Sequence, residues 1–126
     1  MSHFTTIQTQ IRDIAALKAA CGELGLELLE HAKARGYGRS TRRGDHVIRL
    51  KGPYDIAVNQ HPDASFGLTT DWWQGHVERE VGKGFGRLLQ LYGVCKAQAE
   101  ARRKGYTTRR QTLKDGAIKL TIGGVR

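Results

Sequence analysis

Cysteine, proline and methionine are scarce: two, two and one among 126 residues. Two cysteines cannot build a disulfide scaffold. Cys21 and Cys95 each fall inside an apolar helical pattern and read as reduced core thiols of a reducing compartment. A bridge between them requires their two helices to pack side by side, which the sequence leaves open. No apolar run approaches the roughly 20 residues a membrane helix needs. The opening Met1-Ser2-His3-Phe4-Thr5-Thr6 has no basic region leading into an apolar one, so no secretory leader is expected. The expected compartment is the cytoplasm, with no membrane partner. The five histidines (His3, His31, His46, His61, His76) form no pair at metal-ligand spacing and have no cysteine beside them, so no metal site is expected. A phosphate loop is missing as well. The nearest stretch, Gly82-Lys83-Gly84-Phe85-Gly86-Arg87, lacks Gly-Lys-Ser/Thr and Gly-x-Gly-x-x-Gly and follows no strand. It reads as the flexible start of a helix, whose amides can still meet an anion. No cofactor is expected.

Acidic residues are short too. Twelve Asp and Glu stand against 21 Lys and Arg, a net charge of +9. Such a surplus attracts nucleic acid, anionic membrane or an acidic protein. Hydrophobic residues at 39% still suffice for one core, and the length suits one domain over residues 1–126.

The periodicity predicts an α+β fold. Residues 3–11, rich in Thr and Ile, suggest an opening strand. Asp13 is placed to cap a helix whose stripe is Ile14, Leu17, Cys21 and Leu24, and Gly25-Leu26 stops it. Residues 26–30 read as a second strand. Residues 33–44, rich in Gly, Arg, Ser and Thr, read as a loop or a long, twisted hairpin arm. Strands follow at 47–50, 54–59 and 66–70, the first two joined across Gly52-Pro53. Phe85, Leu88, Tyr92, Cys95 and Ala99 mark the main helix, which ends at Gly105-Tyr106. Strands at 107–114 and 117–122 flank Asp115-Gly116, read as a two-residue hairpin turn. The order β-α-β-β-β-β-α-β-β predicts two helices on one face of a mostly antiparallel sheet. The repeated succession of helix, glycine and strand hints at a ferredoxin-like pseudo-repeat.

Two places bear on function. Tyr54-Asp55 and Asp71-Trp72-Trp73 end adjacent strands, so they can share one rim of the sheet. Paired carboxylates do acid–base work when their environments split their pKa values. Here no nucleophile or base stands beside them. The plainer reading has Asp71 capping a turn, one Trp in the core and the other partly covering it. No catalytic residue is assigned. The second place is basic: Lys33, Arg35, Arg39, Arg42, Arg43, Arg49 and Lys51 with Tyr37 among them, a set able to track phosphates and stack on a base. Arg102, Arg103, Lys104, Arg109 and Arg110 form a second cluster, read as an ordinary helix C-terminus.

The opening residues to Ile7, Arg35-Gly36-Tyr37-Gly38, Val47-Ile48-Arg49-Leu50, Tyr54-Asp55-Ile56, Thr70-Asp71-Trp72-Trp73, Leu91-Tyr92, residues 97–106 and the Asp115-Gly116 hairpin occur in one order along the chain. Together they resemble the uncharacterised family of hypothetical chloroplast reading frame thirty-five, whose bacterial relatives are grouped as a domain of unknown function. The resemblance implies a small soluble protein of plastids and bacteria, with an accessory or adaptor role beside an AAA-type ATPase. It carries over no catalytic residue. The matching positions, where a site is to be sought, are His3, Phe4, Tyr37, Tyr54, Asp55, Asp71, Trp72, Trp73 and Tyr92. The chain departs from the pattern in its positive charge and in the glycines before the main helix, which suggests an added anionic contact.

Three functions remain in view. The first is a non-catalytic adaptor or accessory subunit of a larger assembly, with Tyr54, Asp55, Asp71, Trp72 and Trp73 as its interaction surface. The second is nucleic-acid binding through residues 33–51. The third is an enzyme using Asp55 or Asp71. The opening and last strands are candidate sheet edges, through which a homo-oligomer can form.

Overall fold

A computed structural model describes residues 3–125. Its main sheet has five antiparallel strands: β1 (Phe4–Gln8), β2 (Glu27–Arg35), β3 (Thr41–Arg49), β4 (Ile56–Gln60) and β5 (Phe66–Asp71). They lie in the order β1-β5-β4-β3-β2. The helices are α1 (Ile14–Glu23), the single-turn α2 (Glu78–Val81) and α3 (Gly86–Arg103), followed by β6 (Tyr106–Thr112) and β7 (Ile118–Val125). The α+β class and the expected element order are those observed. The ferredoxin-like hint does not carry over: β6 pairs with β7 in a separate two-stranded sheet rather than joining the first.

Local chemistry explains most element ends. The Asp13 side chain accepts from the Ala16 amide at the start of α1. At its end Gly25 takes φ +73°, so its amide reaches the Gly22 carbonyl and the Leu26 amide reaches Cys21. That is the Schellman pair of bonds. The opening strand is shorter than expected, because Thr9 Oγ1 donates to the Phe66 carbonyl and accepts from the Ile11 amide. The chain turns there, and Ile11 drops into the core. The last hairpin also differs. Leu113 bonds both Gly116 and Ala117, so Lys114, Asp115 and Gly116 form a three-residue loop with Gly116 at φ +88°. A left-handed glycine closing a three-residue loop is the usual alternative to the two-residue turn.

One face of the sheet holds the main core. Ile48, Ile56, Val58, Phe66 and Leu68 meet Leu17, Ala20 and Cys21 of α1, and Leu88, Leu91 and Tyr92 of α3. The Tyr92 hydroxyl reaches past the core to accept the amides of Arg12 and Asp13, tying α3 to the start of α1. The glycine run before α3 is a broken approach. Gly82, Gly84 and Phe85 all have positive φ, and Phe85 is wholly buried in that conformation. Non-glycine residues hold it only where packing over-determines it; Trp72 lies against its ring at 4.6 Å.

The second face is closed by the chain itself. Strands β2 and β3 run on well past their neighbours as a two-stranded arm, the hairpin alternative read from residues 33–44. The ladder passes from Glu30–His46 to Ala32–Gly44 and skips His31 and Asp45, with His31 at φ +47°. Where the arm leaves β4, side chains replace backbone pairing. Asn59 accepts the Asp45 amide and donates to the Arg43 carbonyl, while Asp45 accepts the Gln60 amide. Beyond this bend Ala34 packs on Val47 and Ala57. The arm crosses to the opposite edge strand: Gly36 abuts the Phe4 ring, and the Arg42 guanidinium lies 5.3 Å above it.

Gly44 is essential to that bend, since a Cβ on it would overlap the His46 carbonyl. Gly44→Ala is therefore expected to cost about 1–3 kcal/mol, the usual range for overpacking. Urea unfolding measures it, and a loss below about 0.5 kcal/mol would place the bend elsewhere.

Candidate interaction site

The rim where β4 begins and β5 ends brings the two acidic positions together. Ile56 pairs with Thr70, and Thr70 Oγ1 donates to the Asp55 carbonyl at 2.7 Å. Both carboxylates are buried, Asp55 completely. A buried charge must be paired and hydrogen-bonded, and the arm supplies what Asp55 needs. Its Oδ2 accepts from the Arg35 amide (2.9 Å) and Arg35 Nε (2.8 Å). Its Oδ1 accepts from Arg35 Nη2 (2.8 Å) and the Leu50 amide (3.1 Å). In return, the Asp55 amide donates to the Arg35 carbonyl. Arg49 Nε stands 3.3 Å from Oδ2 but off the line of a hydrogen bond, so it contributes charge alone.

Burial pushes the Asp55 carboxyl up. The Arg35 side chain, the backbone amides of Arg35 and Leu50, and the Arg35 charge outweigh that, and its pKa falls below the ordinary value. This carboxylate is an anchor with its lone pairs committed, not a general base.

Asp71 has a similar duty one strand away. Its Oδ2 accepts the Tyr37 amide at 3.1 Å and its Oδ1 accepts the Trp73 amide at 3.0 Å. One oxygen fixes the tip of the arm and the other caps the turn after β5. The two tryptophans then part. Trp72 is half-buried on Phe85, whereas Trp73 is 38% exposed in a 3₁₀ turn over Trp73–Gly75. The Tyr37 ring, 48% exposed, meets Trp73 edge-to-face at 5.9 Å and 75°. Tyr54 is buried against His76 at 5.2 Å, and burial, then the Asp71 and Tyr37 charges, raise its pKa.

The basic positions divide in the same way. The Arg35 guanidinium is spent on Asp55 and on the carbonyls of Leu50 and Gly52, which leaves it little to offer a polyanion. Arg42 covers Phe4. Arg39, Arg43 and Lys51 are exposed, and Arg49 is half-buried. Beside the tip is an open cleft of about 370 Å³, lined by Arg35, Tyr37, Arg39, Ser40, Thr41 and Tyr54 among others.

Some partners were invisible to spacing. Glu80, in α2, accepts the amides of Lys51 and Gly52 and so clamps the Gly52-Pro53 turn from 28 residues away. Glu23 pairs with Arg110 and accepts from Cys95 Sγ, linking α1, α3 and β6. Hydrogen bonding from Arg110 lowers the Glu23 pKa despite partial burial. Cys95 is raised by burial and then by Glu23, and burial alone takes Cys21 to about 12, so neither thiol is poised for reaction. Among the described residues no group of three His, Cys, Asp or Glu is set to hold a metal ion. No helix there is long and apolar enough to cross a membrane.

The profile of the family described as protein of unknown function, DUF1257, matches residues 20–121. The chain belongs to the DUF1257 family. That span of the DUF1257 match runs from α1 into β7 and contains the whole arm and both aspartates. The chain is also 30% identical to the uncharacterized protein ycf35 of Pyropia yezoensis, over 97% of this chain and 96% of that one. The resemblance to the chloroplast reading frame is thereby established. No solved structure matches this DUF1257 chain.

Two outcomes test the anchor. Arg35→Ala leaves the Asp55 charge buried with two amides and the Arg49 charge but no guanidinium bond. Because the Arg35 side chain is itself 43% exposed, the expected cost is about 1.5–3 kcal/mol in chemical denaturation. A loss under about 1 kcal/mol would make the pair ornamental. The pH dependence follows from the lowered pKa. Folding favours ionised Asp55, so its contribution is full above the unfolded value of about 3.9 and is lost as pH falls through the lower folded value. Asp55→Asn should flatten the acid side of the stability curve; an unchanged slope between about pH 5 and 2 would assign that limb to other carboxylates.

Proposed function

We propose that the chain is a non-catalytic interaction module, an accessory subunit of a larger assembly, whose contact surface is the arm tip together with Trp73. The observation that carries this reading is the division of labour at the rim. The two buried carboxylates, the natural candidates for chemistry, are engaged in holding the arm and the turn at Trp73. What they hold in place is a pair of exposed aromatic rings, Tyr37 and Trp73.

Exposed Trp and Tyr are frequent anchors of protein contacts, because each offers a large, rigid surface with few rotamers to freeze. Trp73 suits that role better than Trp72. The ring of Trp72 is committed to Phe85, whereas Trp73 touches a neighbour, Tyr37, that is more exposed still. Tyr54, Asp55 and Asp71 act beneath this surface as its supports. An AAA-type ATPase is the partner that the family likeness brings to mind, and a cytoplasmic or plastid setting accompanies it.

Affinity capture of the tagged protein from native lysate, with and without nuclease, tests the proposal. A stoichiometric protein partner is expected to survive nuclease and to be lost with Trp73→Ala while the circular dichroism melt of that variant stays within a few degrees of the parent. Capture unaffected by Trp73→Ala, or a variant that no longer folds, would return Trp73 to a packing role.

A further inference from the structure

We infer that the outer side of the arm binds single-stranded nucleic acid, with phosphates along Lys33, Arg43 and Arg39 and a base stacked at Tyr37 or Trp73. This rests on the reading of the arm as a contact surface and names a ligand for it.

The first ground is an electrostatic cost left uncompensated. In the register of the arm Lys33 stands directly opposite Arg43. Like charges across an antiparallel pair destabilise it. No acidic residue occurs between positions 32 and 44, where five basic ones do. Among the described residues Lys33, Arg39 and Arg43 take part in no ion pair, although Arg35, Arg49, Arg103 and Arg110 do. The carboxylates that hold the arm, Asp55 and Asp71, are buried and bonded to Arg35 and to the Tyr37 and Trp73 amides, so neither faces these three cations. An incoming chain of phosphates would relieve this repulsion, and counterion release would drive its binding.

The second ground is the shape of the tip. The cleft beside it, a space of about 370 Å³, has Arg39, Ser40 and Thr41 in its lining, residue types that bond phosphate oxygens. Next to it stand the Tyr37 and Trp73 rings, close to perpendicular. In that arrangement the ring presenting its edge keeps both faces clear of the other. Stacking needs an open face and an unstacked base, which a single strand supplies and a duplex hides. The third ground is order. The arm is pinned at Arg35 and at the Tyr37 amide, so its charges stand in place before a ligand arrives and less is lost in ordering them.

Fluorescence anisotropy with the full chain and a fluorescein-labelled oligouridylate of about ten nucleotides, a length within the usual site size, is the test. Three cations (Lys33, Arg39, Arg43) at about 0.7 per phosphate predict a log–log salt slope of about −2.1, hence a loss of roughly 20-fold between ~50 and ~200 mM salt. Replacing Lys33, Arg39 and Arg43 together by Gln should remove most of that slope, a reduction of about 2. Tyr37→Ala keeps the backbone amide that Asp71 holds and should still weaken binding about tenfold. Melting of each variant checks that it is folded. Salt-insensitive binding would overturn the inference. So would equal affinity of the parent and the folded triple variant, or polyglutamate bound as tightly as the oligonucleotide. A duplex bound better than the single strand would remove the stacking role. If the oligonucleotide fails while a nuclease-resistant partner is still lost with Trp73→Ala, the nucleic-acid inference falls and the contact surface stands.

Discussion

Asp55 carries its charge to a place without solvent, and the bonds that receive it come from Arg35, at the far end of β2, and from Leu50, just past β3. Most of the remaining architecture depends on that closure. Without it the β2–β3 arm is a two-stranded ribbon extending past the sheet, and such ribbons are marginal in water. With it, the arm lies back across the second face, Ala34 seals Val47 and Ala57, and Phe4 gains Gly36 and Arg42 as neighbours. A sheet with helices on one side only would otherwise leave those residues open to solvent. The small side chains along this face are what let backbone come so close.

The same closure makes the surface more one-sided than the composition suggests. Asp55 and Asp71 are acidic residues that the outside never meets. Their charges are spent internally, on the arm and on the turn at Trp73, while residues 32–44 of the arm that they secure include five basic residues and no acidic one. A buried anion and an exposed cationic strip thus belong to one device. The buried member supplies the rigidity and the exposed member supplies the field.

Much of this could be read from the chain. Alternation at Ile56 and Val58, the Asp13 cap and the Gly25-Leu26 stop specify elements through local rules, and these elements formed as expected. Placing Tyr54-Asp55 and Asp71-Trp72-Trp73 on one rim was also legible, because antiparallel neighbours return to the same end of a sheet. What stayed hidden depends on distance in sequence. The Arg35–Asp55 pair spans 20 residues, the Tyr37–Asp71 contact 34, and the Glu80 clamp 28. No periodicity links such positions; only the bend at His31 and Gly44 brings the first two into reach. The same bend explains why Arg35 looked like one more cation of a basic loop. Its role was set by the fold and not by its neighbours.

Chemistry and anchoring ask opposite things of a carboxylate, and the two at the rim serve as anchors. A general base must keep a lone pair free, with a pKa raised toward neutrality. Asp55 has its oxygens filled and its pKa lowered. Asp71 has one oxygen on each of two amides. Both act as fixtures, and Asp55, with every acceptor site taken, makes a poor base. What they fix is exposed, aromatic and cationic, and it is held at both Arg35 and Tyr37. A surface ordered before its partner arrives concedes less entropy on binding. The expense of burying two carboxylates at the root of the arm therefore makes sense as the condition for presenting Tyr37, Trp73 and the arm's cations in one fixed arrangement.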